Sequence, residues 1–429
     1  MSGLVIGRVS QNDFEDLRYT AKKAIETTKF WKEKFSEIDL EDLTAETLLS
    51  KTDSLYITPK DLYNVESIWP SYILNREVFH AMMRTSGTTG EPKRIPFTKD
   101  DKRRVSRQIA PWVTKYMDKG DKIASFFPLL PSSSGVFAYG GFEELGMRVG
   151  YYQIPIQYLM KPDLLLKELK SIKPTALFCL TTTAYLLGLK LPEEIRNDIS
   201  VIVLGGETLT EEMAKAMLTY FENAMIVDNF GASEEGVTGY RLITKNRIEP
   251  FKFPESVLIL KERDGEDEYK EYYKLYLTKV MREGELTGLP IFNYDIGDFA
   301  RVVNGEITSI IRVKDVISLA GAKLHIDQVM NIVYRYSFLT DFVIIYHPLS
   351  PNNPKPKAII RVGYVEKFSG IEDEIRSLIY QANNPVRYEV EESKQAELII
   401  EAVPASELRK DLPQKPGKTK RIYIVGKDI

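Results

Sequence analysis

Arg84-Thr85-Ser86-Gly87-Thr88-Thr89-Gly90-Glu91-Pro92-Lys93 packs two glycines, four hydroxyl side chains and a lysine into ten positions. Backbone N–H groups of such a loop can turn inward around phosphate oxygens, because glycine tolerates the angles required. The hydroxyls add donors, and Lys93 adds a charge that phosphate favours. The spacing differs from G-x-x-x-x-G-K-[ST], since Gly90 is followed by Glu91-Pro92-Lys93.

Working outward, residues 12–36 place Leu17, Ala21, Ala24, Ile25, Trp31 and Phe35 at helical spacing. A second helix is expected from Lys99 to Lys119. Beyond it, short apolar runs alternate with helical stretches. Strands are expected at Ile123–Phe127, Val149–Ile154, Ala176–Leu180, Ile199–Leu204 and Ala224–Val227. Helices are expected at Phe142–Met147, Pro162–Ser171, Ala184–Leu189 and Thr210–Phe221. That alternation predicts a doubly wound, mostly parallel sheet with ligands at the carboxyl ends of its strands. Gly205-Gly206-Glu207 and Asp228-Asn229-Phe230-Gly231 fall at such ends. From Pro254 to Val303 the pattern turns extended, and the Asp264-Gly265 turn predicts a hairpin with an acidic tip. Residues 316–429 read as a small α+β unit. It has helices at 327–336 and 371–382 and strands at 342–346, 357–363 and 396–402.

Four further segments follow the loop in order. They are Asp228-Asn229-Phe230-Gly231-Ala232-Ser233-Glu234, Tyr294-Asp295-Ile296-Gly297-Asp298, Arg312-Val313-Lys314-Asp315 with Gly321 behind it, and Pro413 to Arg421 with Gly417-Lys418 inside. With Thr85–Lys93 they resemble the ordered motifs of the adenylate-forming superfamily, the acyl-CoA synthetases and luciferases. The short chain, the Ala24–Phe35 stretch and Gly206-Glu207-x-x-Thr210 resemble its phenylacetate–CoA ligase branch. The resemblance implies a large N-terminal domain, residues 1–313, that binds ATP and a carboxylic acid. It implies a small mobile C-terminal domain, residues 314–429, that carries the catalytic lysine.

The resemblance also implies the roles. Lys418 would neutralise charge as a carboxylate attacks the α-phosphate of ATP. Thr85, Ser86, Gly87, Thr88, Thr89, Gly90 and Lys93 would hold phosphates. Gly206, Glu207, Asp228, Asn229, Phe230, Gly231 and Ser233 would surround adenine, with Phe230 as a flat face and Asp228 accepting from its amino group. Asp298 would accept the ribose hydroxyls, and Arg312 would donate beside them. Glu234 would hold Mg²⁺. Lys314 would be a hinge, and Gly321 would mark the loop that faces CoA in the second half-reaction. Phe137 and Tyr139 would line an acyl pocket suited to an aryl or apolar acid. Gly206 stands where alanine is expected, which would widen that pocket.

The chain has 429 residues and a net charge of −3, so no global field draws nucleic acid or anionic lipid. Its single cysteine, Cys179, sits in an apolar run and excludes an internal disulfide or a cysteine-rich zinc site. His80, His325 and His347 lack metal-ligand spacing. No signal-peptide pattern or spanning apolar run is present, so a soluble cytoplasmic enzyme is expected. Its partner would be a small-molecule carboxylic acid, with no nucleic acid or membrane, and the resemblance implies a homodimer. Three functions stand open. They are an acid–thiol ligase using ATP, Mg²⁺ and CoA, an adenylating enzyme with an amine, hydroxyl or cofactor acceptor, and a nucleotide-binding regulator.

Overall fold

The computed structural model describes residues 3–7, 11–63, 65–78, 81–84, 93–118, 120–127, 133–262, 272–312, 316–350, 353–413 and 420–425. Residues 85–92, 313–315 and 414–419 lie outside this set. Thr85 to Gly90, Lys314 and Lys418 therefore have no structural description, and neither does the Asp264-Gly265 turn. The chain divides into two compact units. One holds residues 1–179, 198–206 and 225–310, and the other holds 180–197, 207–224 and 311–429.

Seven strands form the main sheet of the first unit. Their order is Arg247–Ile248, Gly236–Thr244, Met225–Ala232, Val201–Gly205, Ala176–Cys179, Lys122–Ser125, Gly150–Gln153. The five strands from 225–232 to 150–153 run parallel, and the other two are antiparallel. In chain order the parallel strands follow the 2-1-3-4-5 arrangement of doubly wound sheets. The inner parallel runs are largely apolar because both faces are covered, whereas Gly150–Gln153 at the edge leaves Tyr152 and Gln153 exposed. Ala176–Cys179 is wholly buried, with Cys179 among the core residues.

A five-stranded sheet contains Gly3–Gly7, Ser256–Lys261, Tyr272–Lys279, Tyr294–Val303 and Glu306–Arg312. The expected hairpin is present, with Val257 opposite Thr278 and Leu260 opposite Leu275. A separate two-stranded ribbon pairs Ala81–Arg84 with Arg94–Phe97, so the chain on either side of residues 85–93 meets at Arg84 and Arg94. The second ribbon strand runs into Thr98. That threonine caps the Lys99–Tyr116 helix by accepting from Asp101 N–H, and Asp101 returns the bond to Thr98 N–H.

Two helix expectations needed correction. The 12–36 stretch is two helices, Gln11–Thr27 and Lys29–Lys34. Thr28 separates them because its hydroxyl accepts from Trp31 N–H and caps the second. The helix expected at 142–147 instead covers Ser133–Glu144. Its serines and glycines read as loop in the sequence. Gly140 and Gly141 are there for close packing, since a methyl on either would crowd Lys102 or Ile109 of the Lys99–Tyr116 helix.

The second unit has a four-stranded mixed sheet in the order Glu397–Pro404, Lys357–Tyr364, Leu339–His347, Ile422–Ile424. Helices Ile326–Val333 and Ile371–Ala382 belong to it, as do Thr181–Lys190 and Glu211–Tyr220. A hairpin pairs Val316–Leu319 with Ala322–His325. No helix among the described residues is long and apolar enough to cross a membrane.

Candidate active site

In the first unit the Met225–Ala232 strand delivers Asp228 to Gly231 and then turns through Ser233 to Glu235 into Gly236–Thr244. Glu234 and Glu235 are both buried. Arg104 donates from Nη1 to Glu235 Oε1 at 2.9 Å and from Nη2 to Glu235 O at 2.5 Å. Thr238 and Ser256 hydroxyls donate to the same carboxylate at 2.7 and 2.6 Å. A buried charge this fully bonded holds the turn rigid, and so aims Glu234 beside it.

Glu234 Oε1 accepts from Lys93 Nζ and from Tyr294 OH, the latter at 2.7 Å, and Lys93 also donates to Tyr294 OH at 3.0 Å. Three segments far apart in the chain thus converge: the residue before the Arg94–Phe97 strand, the acidic turn, and the start of the Tyr294–Val303 strand. Burial raises the Tyr294 phenol well above its ordinary value, and the nearby charges of Glu234, Asp295 and Asp298 raise it further. Tyr294 stays protonated and keeps donating to Glu234. The motif containing it was legible, but the part played by its first residue was not.

Tyr294-Asp295-Ile296-Gly297-Asp298 is a bulged strand. Asp295 pairs with Tyr276 and Phe299 with Lys274, so three residues oppose one. Gly297 lies inside this bulge at φ +78°, where a side chain would be strained. Asp295 is occupied within the protein, accepting from Tyr56 OH at 3.1 Å, Gly297 N–H at 2.9 Å and Lys274 at 2.8 Å. Asp298 is buried beyond the bulge, and its charge reaches Tyr294.

Asp228 is occupied too. Its Oδ2 accepts from Arg241 Nε at 2.8 Å, directly across the antiparallel pair, and Arg241 Nη1 donates to Thr308 O at 2.7 Å. Burial raises the Asp228 carboxyl above its ordinary value despite Arg241. Asn229, next along, has a buried Oδ1 that accepts no hydrogen bond among the described residues. Phe230 is half-buried, with its ring 6.5 Å from those of Phe251 and Phe253. Gly231 lies so close to Gly236 that a methyl there would strike backbone.

Gly206 has φ +80°, so its lack of a methyl answers a left-handed backbone as well as any pocket width. In the second unit, Glu207 accepts from Thr182 N–H at 2.8 Å, giving an acid to the bare N-terminus of the Thr181–Lys190 helix. Tyr139 is exposed, its ring 5.6 Å from Tyr151 and edge-on. The Phe137 side chain lies outside the described set, as does that of Arg312, which ends the Glu306–Arg312 strand. Ala320 and Gly321 form the two-residue tip of the 316–325 hairpin, at φ +52° and +105°.

A family model described as AMP-binding enzyme matches residues 25–257, more than half of the chain. The chain belongs to that family, within the adenylate-forming superfamily. No curated protein matches it by sequence. Among solved structures it is similar to 2-hydroxyisobutyryl-CoA ligase in the postadenylation state with 2-HIB-AMP. That match has a TM-score of 0.72 and 15% identity, and covers 96% of this chain and 89% of the other. The same ligase with 2-HIB-AMP and CoA in the thioesterification state gives 0.57 at 16% identity, over 96% and 89%. An ATP-bound RpMatB-BxBclM chimera gives 0.57 at 15%, over 80% and 66%. At these identities the likeness is one of fold.

Proposed function

We propose that this chain is an ATP-dependent acid–thiol ligase of the phenylacetate–CoA ligase-like branch. In the first step a carboxylate oxygen attacks the α-phosphorus, and the bond to pyrophosphate breaks. In the second the thiol of CoA attacks the acyl carbon, and AMP leaves. Residues 1–313 bind ATP and acid, and residues 314–429 bring Lys418. The observation that carries this reading is the convergence of Lys93, Glu234 and Tyr294 where the phosphate loop ends.

The residues present fit the nucleotide and its metal. Glu234 offers a buried carboxylate, the oxygen ligand a hard divalent ion prefers, although Mg²⁺ there would have to share or displace the Lys93 and Tyr294 donors on Oε1. Mg²⁺ bound there would neutralise phosphate charge. The unpartnered Asn229 Oδ1 fits the adenine amino group better than Asp228, whose Oδ2 is taken by Arg241. Asp298 remains our choice for the ribose hydroxyls, Phe137 and Tyr139 for the acyl pocket, Lys314 for the hinge and Gly321 for the CoA-facing loop.

The test is acid-dependent exchange of pyrophosphate into ATP across a panel of aryl and short acyl acids, first without CoA. Exchange with one class of acid is expected, and Lys418→Ala should lower it about 10²- to 10³-fold with ATP binding retained. Exchange without any CoA-dependent product would move the acceptor to an amine, hydroxyl or cofactor. ATP binding without exchange would favour the nucleotide-binding regulator.

A further inference from the structure

Asp341, buried in the Leu339–His347 strand, gathers an unusual set of donors within the second unit. Its Oδ1 accepts from Tyr334 OH at 2.8 Å and from Arg421 Nε at 3.3 Å. Its Oδ2 accepts from Arg409 Nη2 at 2.6 Å. Arg409 and Arg421 stand on either side of Lys418 in the chain, so both flanks of the lysine segment are tied to one carboxylate. Arg421 also donates from Nη2 to Thr182 Oγ1 at 2.7 Å and to Tyr334 OH at 3.0 Å. Thr182 N–H in turn holds Glu207. Arg421 O accepts from Ile344 N–H at 2.6 Å, where the Ile422–Ile424 strand joins the sheet.

Buried charges are a poor way to gain stability alone, because an apolar cluster of the same volume does as well. They do fix geometry, since each bond has a direction and a length. A joint of this chemistry suits a segment that must be held in one place.

We propose that Arg421 is a positioning residue for acyl-adenylate formation, holding the strand that follows Lys418 against Thr182. The proposal rests on the reading of Lys418 as the adenylating lysine.

Arg421→Lys replaces the fork with a single ammonium, and Thr182→Val exchanges the hydroxyl for a methyl. Each should lower kcat for pyrophosphate exchange about tenfold with the ATP KM within about twofold. Transfer of a supplied acyl-adenylate to CoA should stay within about twofold of wild type. Thr340→Val removes a hydrogen bond to Gly363 O, which does not involve the Thr181–Lys190 helix, and should affect both half-reactions alike. Equal losses in both half-reactions for Thr182→Val, or a loss in neither, overturn the proposal. Should the wild-type protein exchange pyrophosphate with no acid, the functional reading and the adenylation role fall together. The joint itself is then read by amide hydrogen exchange. Thr182→Val should speed exchange in residues 181–187 and 422–424, and unchanged protection there removes the joint as well.

Discussion

Asp228 and Asp341 are both buried, both lie on strands, and both accept hydrogen bonds from arginine. Asp228, in the first unit, accepts from Arg241 and from no other side chain among the described residues. Asp341, in the second, meets Arg421, Arg409 and Tyr334. Burial opposes ionisation at each. At Asp228 it prevails and the carboxyl is raised. At Asp341 the two guanidinium groups and Phe342 N–H overcome it, and the carboxyl is held below its ordinary value. The number of donors, rather than the depth of burial, sets the sign.

Four substitutions or titrations test that contrast. The largest effect is expected for Asp341→Asn. It takes the carboxylate away from the buried Arg421 and the half-buried Arg409 and should cost about 3–5 kcal/mol in urea unfolding. Asp228→Asn keeps an acceptor for Arg241 and should cost about 2 kcal/mol or less in the same measurement. Equal costs would show that partner number is not what separates the two sites. Tyr334→Phe takes one donor from Asp341 and should cost about 1 kcal/mol, while moving that carboxyl toward the behaviour of Asp228.

The pH dependence should have opposite signs. The ionised form of Asp341 is favoured in the folded state. Its contribution is present above the unfolded value near 3.8 and is lost as pH falls through the lower folded value. Asp228 holds its proton more tightly when folded, so its ionisation costs stability as pH rises from about 3.8 through the raised value. Urea midpoints between pH 3 and pH 6 check this. As pH falls, the gap between wild type and Asp341→Asn should close. The gap between wild type and Asp228→Asn should widen, and parallel curves would defeat the account.

Much of the frame was legible because each parallel strand is a short apolar run between helices. Ala176–Cys179 and Val201–Gly205 were found within a residue or two. The C-terminal helix Ile371–Ala382 was placed residue for residue. What escaped were contacts set by pairing rather than by periodicity. Arg241 reaches Asp228 only because an antiparallel partner puts it opposite, and Arg421 finds Asp341 from 80 residues away. Glycine was the other source of error. In Ser133–Glu144 it serves helix packing and in Gly297 a bulge, two uses that look alike in sequence. Tyr294 could have been found, since it opens a motif whose last residue was already singled out.

The burial of Cys179 at the end of its strand has a practical side. It is the chain's only cysteine, so a thiol-reactive dye has little to attack on the folded protein. Loss of free CoA thiol can then be followed in real time against a near-zero protein background. A cysteine introduced on the surface would likewise be the one site that takes a fluorophore.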